Sequence, residues 1–386
     1  MRAMSELLDD LRARGLVQDS TDPDALAARL DEGPLALYYG CDPTADSLHA
    51  GHLIGLLVLR RFADAGHRPI ALVGGATGMI GDPGGRSEER NLLDPETLAA
   101  NVAGIRGQVE AIVGEVAAVV DNSTWTAEIG VLEFLRDVGK HVTVNQMLAK
   151  ESIRSRIDSE HGISYTEFSY MLLQANDYWW LHGHEGVELQ IGGSDQWGNI
   201  VAGVDMIRRR SQATAHAFTW PLMTRADGAK FGKSTGGAIW LSAQRTSPYA
   251  FFQYWMNVDD RDVGRFLQQL TLLPLDEVAT VEASAVLFGG DPGSAGPATW
   301  AAIAAEVPTV GLPAGASVEA GLDPVPLLVA SGLAKSNGEA RRLLGEQAVS
   351  ATGRRLGGDD RIGASDVRHG RYALLRKGKK GYAVVD

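Results

Sequence analysis

Three features of the 386-residue sequence predict an α/β fold built on a parallel sheet. An aromatic-rich apolar run, "LALYYGCD" (35–42), leads into a helix-length apolar segment, "HLIGLLVLRRFADAGH" (52–67), and then a second apolar run, "RPIALVGGATG" (68–78). Strand, helix and strand with short connections make a βαβ unit, whose crossover is almost always right-handed. A third run, "VELQIGGSDQ" (187–196), feeds a helical stretch from about Trp197 to Arg210. The expected architecture is a Rossmann-like parallel sheet domain (1–222), a helical domain (223–320) and a small α+β module (323–386).

Taken in order, "MRAMSELLDDLRARGLVQ" reads as an amphipathic helix with both charge signs, without the basic-then-apolar plan of a signal peptide. The first apolar run is stopped by Asp42-Pro43, the following helix by Gly66 and the second run by its glycines. Ligands of parallel sheets collect at the carboxyl ends of the strands. Those ends carry Asp42-Pro43-Thr44, Gly74-Gly75-Ala76-Thr77 and Gly192-Gly193-Ser194-Asp195, all small or polar. After "TRADGAKFGKSTGG" (224–237) the pattern becomes helical through 248–320, interrupted by "FGGDPGSAGP" (288–297). "AGLDPVP" (320–326) reads as a linker to the last module.

With 45% hydrophobic and 22% charged residues the composition is that of a globular protein, and no apolar stretch has the length of a membrane span. The single cysteine, Cys41, rules out an intrachain disulfide and a Cys-rich zinc site, and favours a cytoplasmic enzyme. A net charge of −12 argues against general nucleic-acid binding, but the charge is uneven. Residues 323–386 hold 12 Lys and Arg against 7 Asp and Glu, leaving −17 on the remainder. A basic tail on an acidic body implies a local polyanion contact, or simply a solvated basic edge.

Chemistry concentrates in three places. In "SLHAGH" (47–52), His49 and His52 flank Gly51 at the mouth of an apolar helix. A helix start presents free N–H groups and a positive dipole end, so two imidazoles there suit a phosphate; equally, they only cap the helix. In "GAKFGKS" (228–234), Lys230 and Lys233 stand on a glycine-punctuated loop before Ser234. Such a loop is either solvated or a clamp for polyphosphate charge, and it lacks the Walker spacing. In "SYMLLQANDYWWL" (169–181), Tyr170, Gln174 and Asp177 share one helical face, either a wet face or a pocket lining.

Together these elements resemble the bacterial tyrosyl-tRNA synthetase family of class I aminoacyl-tRNA synthetases over nearly the whole chain. The resemblance rests on "YYGCDPTADSLHAGH" (38–52), "ALVGGATGMIGDP" (71–83), "YTEFSYMLLQANDY" (165–178), "LQIGGSDQWGNI" (189–200) and "KFGKS" (230–234). It implies activation of L-tyrosine by ATP to tyrosyl-adenylate, with Mg²⁺ on the phosphates, then transfer to the 3′ end of tRNA(Tyr). By resemblance, Thr44, His49, His52, Lys230, Lys233 and Ser234 hold the phosphates. Gly40, Asp42, Gly51, Gly193, Asp195, Gln196 and Met223 complete the ATP site. Tyr38 and Asp177 match positions that bond the substrate phenol; Tyr170, Asp82, Gln174 and Gln190 match those around its ammonium group. Arg86 and Arg90 match a mobile loop over the transition state.

The last module resembles a ribosomal-protein-like RNA-binding domain, so Arg341, Arg342, Arg376, Lys377, Lys379 and Lys380 are expected on tRNA phosphates. The family also implies a homodimer formed through the region after Trp125, a cytoplasmic location, and no membrane or protein-held metal. The sequence departs from the family at Cys41, where an aromatic is usual, at Ala50 and Asn176, and at Arg86 and Ser87. Three other readings stand beside this one. They are a tryptophanyl-tRNA synthetase, a small-molecule adenylyltransferase with the same H-x-G-H turn, and an RNA-binding protein on an inactive synthetase scaffold.

Overall fold

The computed structural model describes residues 4–83, 93–114, 117–158, 162–228, 231, 233–234, 237–287, 290–293, 295–312, 317–378 and 381–386. It forms two compact units, Met1–Asn257 and Val258–Asp386. The first is organised by a six-stranded sheet: β1 (Asp19–Ser20), β2 (Ala36–Cys41), β3 (Arg68–Val73), β4 (Ala118–Asp121), β5 (Val187–Gly193) and β6 (His216–Trp220). Its order is β1-β6-β5-β2-β3-β4, parallel throughout except for the β1–β6 pair. From β2 the chain builds outward to β3 and β4, then returns to β5 and β6 on the other side. The β2–β5 seam is therefore the topological switch point, where the carboxyl ends of strands open a crevice.

The three apolar runs of the sequence are β2, β3 and β5. β6, "HAFTW", is buried at every position, yet His216 and Thr219 break its apolar pattern; Thr219 Oγ1 is satisfied by Asp19 Oδ2 at 3.1 Å. Alternation along β2 distributes the packing to both faces. Tyr38 meets Tyr178 of the Tyr165–Glu185 helix, ring centroids 5.3 Å apart. Tyr39 points the other way, against Trp220 (5.6 Å) and the Ala50–Asp64 helix. A Cβ at Gly55 of that helix would lie 2.4 Å from the Tyr39 ring, so only glycine fits beneath it.

In the second unit, helices Asp260–Leu270, Leu275–Leu287 and Pro297–Glu306 precede a five-stranded sheet. The helical stretch and the last module both fall within this unit. Thr309–Val310 adds a parallel strand beside Val384–Val385, and Trp300 stacks on Tyr372 (5.9 Å, 7°) within a core that includes Ala283, Ile303 and Val384. Leu322, inside the expected linker, exchanges two backbone hydrogen bonds with Ile362 (2.8 and 3.0 Å). The KFGKS segment falls in the first unit, ahead of the Asn257/Val258 division.

Trp300 is fully buried. Trp300→Ala is expected to cost about 3–5 kcal/mol, read as a lowered midpoint in urea unfolding.

Candidate active site

The turn after β2 is capped by two imidazoles. His49 is the N-cap of the Ala50–Asp64 helix: its Nδ1 accepts the Gly51 N–H (3.1 Å), while His52 Nδ1 accepts the His49 N–H (3.3 Å). This is a reciprocal capping box made by imidazoles, with ring centroids 4.0 Å apart. A ring nitrogen that accepts an N–H carries no proton, so each neutral ring keeps its hydrogen on Nε2. Loss of solvation, then the neighbouring His49, pulls the His52 pKa down to about 3. Capping and phosphate donation are thus one geometry: the backbone takes Nδ1 and leaves Nε2–H as donor. Gly51 is needed for the His49 ring itself, since a Cβ there would lie 2.9 Å from His49 Cε1.

The lysine loop reaches this turn through the backbone. Ala50 N–H donates to Ile239 O and Leu241 N–H to Leu48 O, both at 2.8 Å, pairing His49 with Trp240. Just upstream, Lys233–Ser234 pairs with Gly237–Ala238 as a short antiparallel hairpin. Phe231 is buried against Tyr254 and Trp255, and its N–H donates to Met223 O at 3.3 Å. Lys230, Arg86, Arg90, Lys379 and Lys380 lie outside the described residues, as do the side chains of Lys233 and Ser234.

Asp42 joins the two halves of the site. It accepts from Thr77 Oγ1 (2.7 Å) and from Tyr170 OH (2.8 Å), and its carbonyl accepts the Thr44 N–H (2.9 Å); Thr44 itself is exposed. Gly40 stands in ordinary contact with Leu72. On the β5 side, a Cβ at Gly193 would lie 2.7 Å from Asp195 Oδ1. Gln196 Nε2 donates to Asp82 Oδ2 at 2.7 Å, and Asn199 Nδ2 reaches the same oxygen at 3.2 Å.

The Tyr170–Gln174–Asp177 face of the Tyr165–Glu185 helix is turned into the protein rather than to solvent. Tyr170 and Asp177 are buried, and the Asp177 carboxylate accepts from Asn122 Nδ2 and Trp125 Nε1, both at 2.8 Å. Burial raises the Asp177 pKa to about 7 against those two bonds. Tyr38, 1% exposed, lies across the β2–β5 register from Gln190, and Asp177 is among the charges acting on its phenol. The Tyr38 hydroxyl, Gln174 Oε1 and Gln190 Oε1 are buried without a hydrogen-bond partner among the described residues. Buried polar atoms left unpaired cost about 1–3 kcal/mol each, so these three atoms are ones that a polar ligand could satisfy. Cys41 is buried with its pKa raised to about 12, an inert packing thiol.

In the C-terminal module the cations divide. Arg341 is exposed, and Arg342 pairs with Glu346 at 3.0 Å. Arg376 donates to Gly378 O (2.9 Å) and lies over the Tyr382 ring, while Lys377 bonds Leu333 O (2.7 Å) and Glu339 (3.1 Å). Sequence reasoning gave no role to Asn122, Trp125, Lys150 or Asn199. Asn122 sits directly after β4, a strand end that went unread because β4 itself is short and half-exposed.

The family model of class I tRNA synthetases (W and Y) matches residues 30–286, and that of the tyrosine–tRNA ligase SYY-like C-terminal domain matches 301–385. The chain is 46% identical to the tyrosine–tRNA ligase of Opitutus terrae over 420 aligned positions, covering 98% of this chain and 99% of that protein. That alignment is longer than the chain, so this sequence is shortened internally relative to that relative. It is 48% identical to the tyrosine–tRNA ligase of Mycobacterium bovis, with 98% of each covered. It superposes on a C-terminally truncated mitochondrial tyrosyl-tRNA synthetase of Coccidioides posadasii with a TM-score of 0.64 at 30% identity. That match covers 72% of this chain and 82% of that one.

The raised Asp177 pKa carries a signed consequence. Between 3.8 and about 7 the folded protein keeps a proton that the unfolded chain has released. The group's contribution to stability is complete below 3.8 and is lost as pH rises through about 7. Relative to Asp177→Asn, the unliganded wild type should lose up to about 1.4 kcal/mol per pH unit in that window. Denaturant unfolding of both at pH 5, 6, 7 and 8 measures the difference; a flat difference contradicts it.

Proposed function

We infer that this chain, which belongs to the class I tRNA synthetases of the tryptophan and tyrosine group, is a tyrosine–tRNA ligase. It activates tyrosine with ATP and esterifies tRNA with the product. The observation that carries the mechanism is the imidazole capping box bonded to the strand that follows the lysine hairpin. A tyrosine carboxylate is already an anion at neutral pH, so its attack on the α-phosphorus needs no general base. The protein's task is to position the reactants and to stabilise phosphate charge as it grows.

His49 and His52 present Nε2–H groups at a positive helix end, Thr44 lies beside them, and the Lys230–Ser234 loop brings its ammonium groups from the other side. Gly40, Asp42, Gly51 and Met223 shape the nucleotide site, Gly193 and Asp195 receive the ribose, and Gln196 stands near the reacting phosphorus. Arg86 and Arg90 close over the phosphates. Mg²⁺ would enter on the ATP itself, carried by its phosphates. There it would draw charge from the phosphate oxygens.

Tyr38 and Asp177 take the phenol hydroxyl, and Tyr170, Asp82, Gln174 and Gln190 surround the ammonium group. The unpaired Tyr38 hydroxyl favours tyrosine over tryptophan, whose side chain offers no hydroxyl. In the functional division we propose, residues 1–222 supply the catalytic domain, 223–320 the helical domain with the KFGKS loop, and 323–386 the RNA-binding domain. Arg341, Arg342, Arg376, Lys377, Lys379 and Lys380 face tRNA(Tyr). A homodimer through the region after Trp125 draws support from the exposed apolar side chains Val131, Leu132, Leu135, Val144 and Leu148 there. The cytoplasm, where tRNA is charged for translation, is the proposed location; no helix among the described residues is long and apolar enough to cross a membrane.

Tyrosine-dependent exchange of labelled pyrophosphate into ATP tests the activation step, and acylation of tRNA(Tyr) tests the second; exchange driven by tryptophan instead would refute the assignment. His49→Ala should slow adenylate formation by about 10²-fold while leaving tyrosine affinity nearly unchanged, because the phosphate charge it meets develops on the way to the transition state. Pre-steady-state kinetics separate the two quantities.

A further inference from the structure

Lys150 belongs to none of the motifs above, yet its side chain is 6% exposed and ends inside the polar network of the site. Its Nζ donates to Asn199 Oδ1 at 2.7 Å and faces Asp82 Oδ1 across 3.6 Å. The other oxygen of Asp82 is bonded by Gln196 Nε2 at 2.7 Å, and Asn199 Nδ2 reaches Gln196 Oε1 at 3.0 Å. Gly198 makes room for the lysine stem, since a Cβ there would lie 3.2 Å from Lys150 Cγ.

Burying an ammonium group costs several kcal/mol unless partners repay it, and a charge-assisted bond does so best below about 3 Å. Across 3.6 Å, Lys150 and Asp82 are neighbours of opposite charge more than a closed ion pair. Two such charges side by side complement the two poles of an α-amino acid, which are one carbon apart. Asp82 is assigned to the ammonium pole and Gln196 to the reacting phosphorus, and these two side chains touch. The substrate group between ammonium and phosphorus is the carboxylate, and Lys150 ends at that junction.

We propose that Lys150 binds the α-carboxylate of the amino acid while Asp82 takes its ammonium group, so that the pair recognises the zwitterion and aims the attacking oxygen. One carboxylate oxygen rests on Lys150 Nζ; the other forms the bond to the α-phosphorus as pyrophosphate leaves. The inference rests on tyrosine activation for the identity of the substrate.

The test compares equilibrium binding of L-tyrosine with that of L-tyrosinol, which keeps the phenol and ammonium groups and replaces the carboxylate by a hydroxymethyl. Full-length wild type, Lys150→Met and Lys150→Arg are measured by dialysis. Lys150→Met should weaken tyrosine by about tenfold or more, leave tyrosinol unchanged or tighter, and so abolish the preference for the acid. Lys150→Arg should keep most of that preference. Equal weakening of both ligands would make Lys150 a scaffold residue and overturn the proposal, as would an unaltered preference. If Lys150→Met fails to fold, Lys150→Gln, which still donates to Asn199, gives the same comparison. A wild type that binds no tyrosine overturns the activation reading itself, and the inference with it.

Discussion

Two backbone hydrogen bonds, Ala50 N–H to Ile239 O and Leu241 N–H to Leu48 O, decide how this site is assembled. They fasten the segment after the lysine hairpin to the first turn of a helix whose start is fixed by β2. Main-chain bonds of this kind do not depend on which side chains the segment carries. The side chains of the turn are fixed by the same economy. Each imidazole satisfies one orphan N–H of the helix start with Nδ1 and thereby settles its own tautomer.

The amino-acid end follows the opposite logic. There the protein leaves polar atoms unsatisfied and holds a carboxylate where burial drives its pKa up to about 7. Asn122 and Trp125 restrain Asp177 without neutralising it, and Asp42 ties Tyr170 to the nucleotide side. Under the proposed reading, stability is forgone at Tyr38, Gln174 and Gln190 in favour of discrimination, because a ligand without matching groups cannot relieve their desolvation.

Much of this was legible in the sequence. β2, β3 and β5 announced themselves as apolar runs stopped by glycine or Asp-Pro, and their carboxyl ends located the crevice. The His-x-Gly-His turn was readable as a helix start that its histidines either cap or use to hold a phosphate; that the cap takes Nδ1 and leaves Nε2–H free was not, because sequence does not fix a ring's orientation. β6 escaped because a buried strand may hold His216 and Thr219 if neighbours bond them. Asn122 and Trp125 act on Asp177 from 55 and 52 residues away, and no periodicity spans such a distance. Proline and glycine mark turns, and a turn between two parts of one unit looks the same in sequence as a turn between domains.

The internal pairing of basic residues in the C-terminal module bears on how it would grip a polyanion. Lys377 is tethered to Leu333 and Glu339, Arg354 to Asp366, and Arg371 to Asp386. A cation already neutralised by its own protein displaces no condensed counterions when RNA arrives. If the module binds RNA as proposed, the internally paired cations among the described residues would make the salt dependence of its affinity shallower than its sequence charge implies.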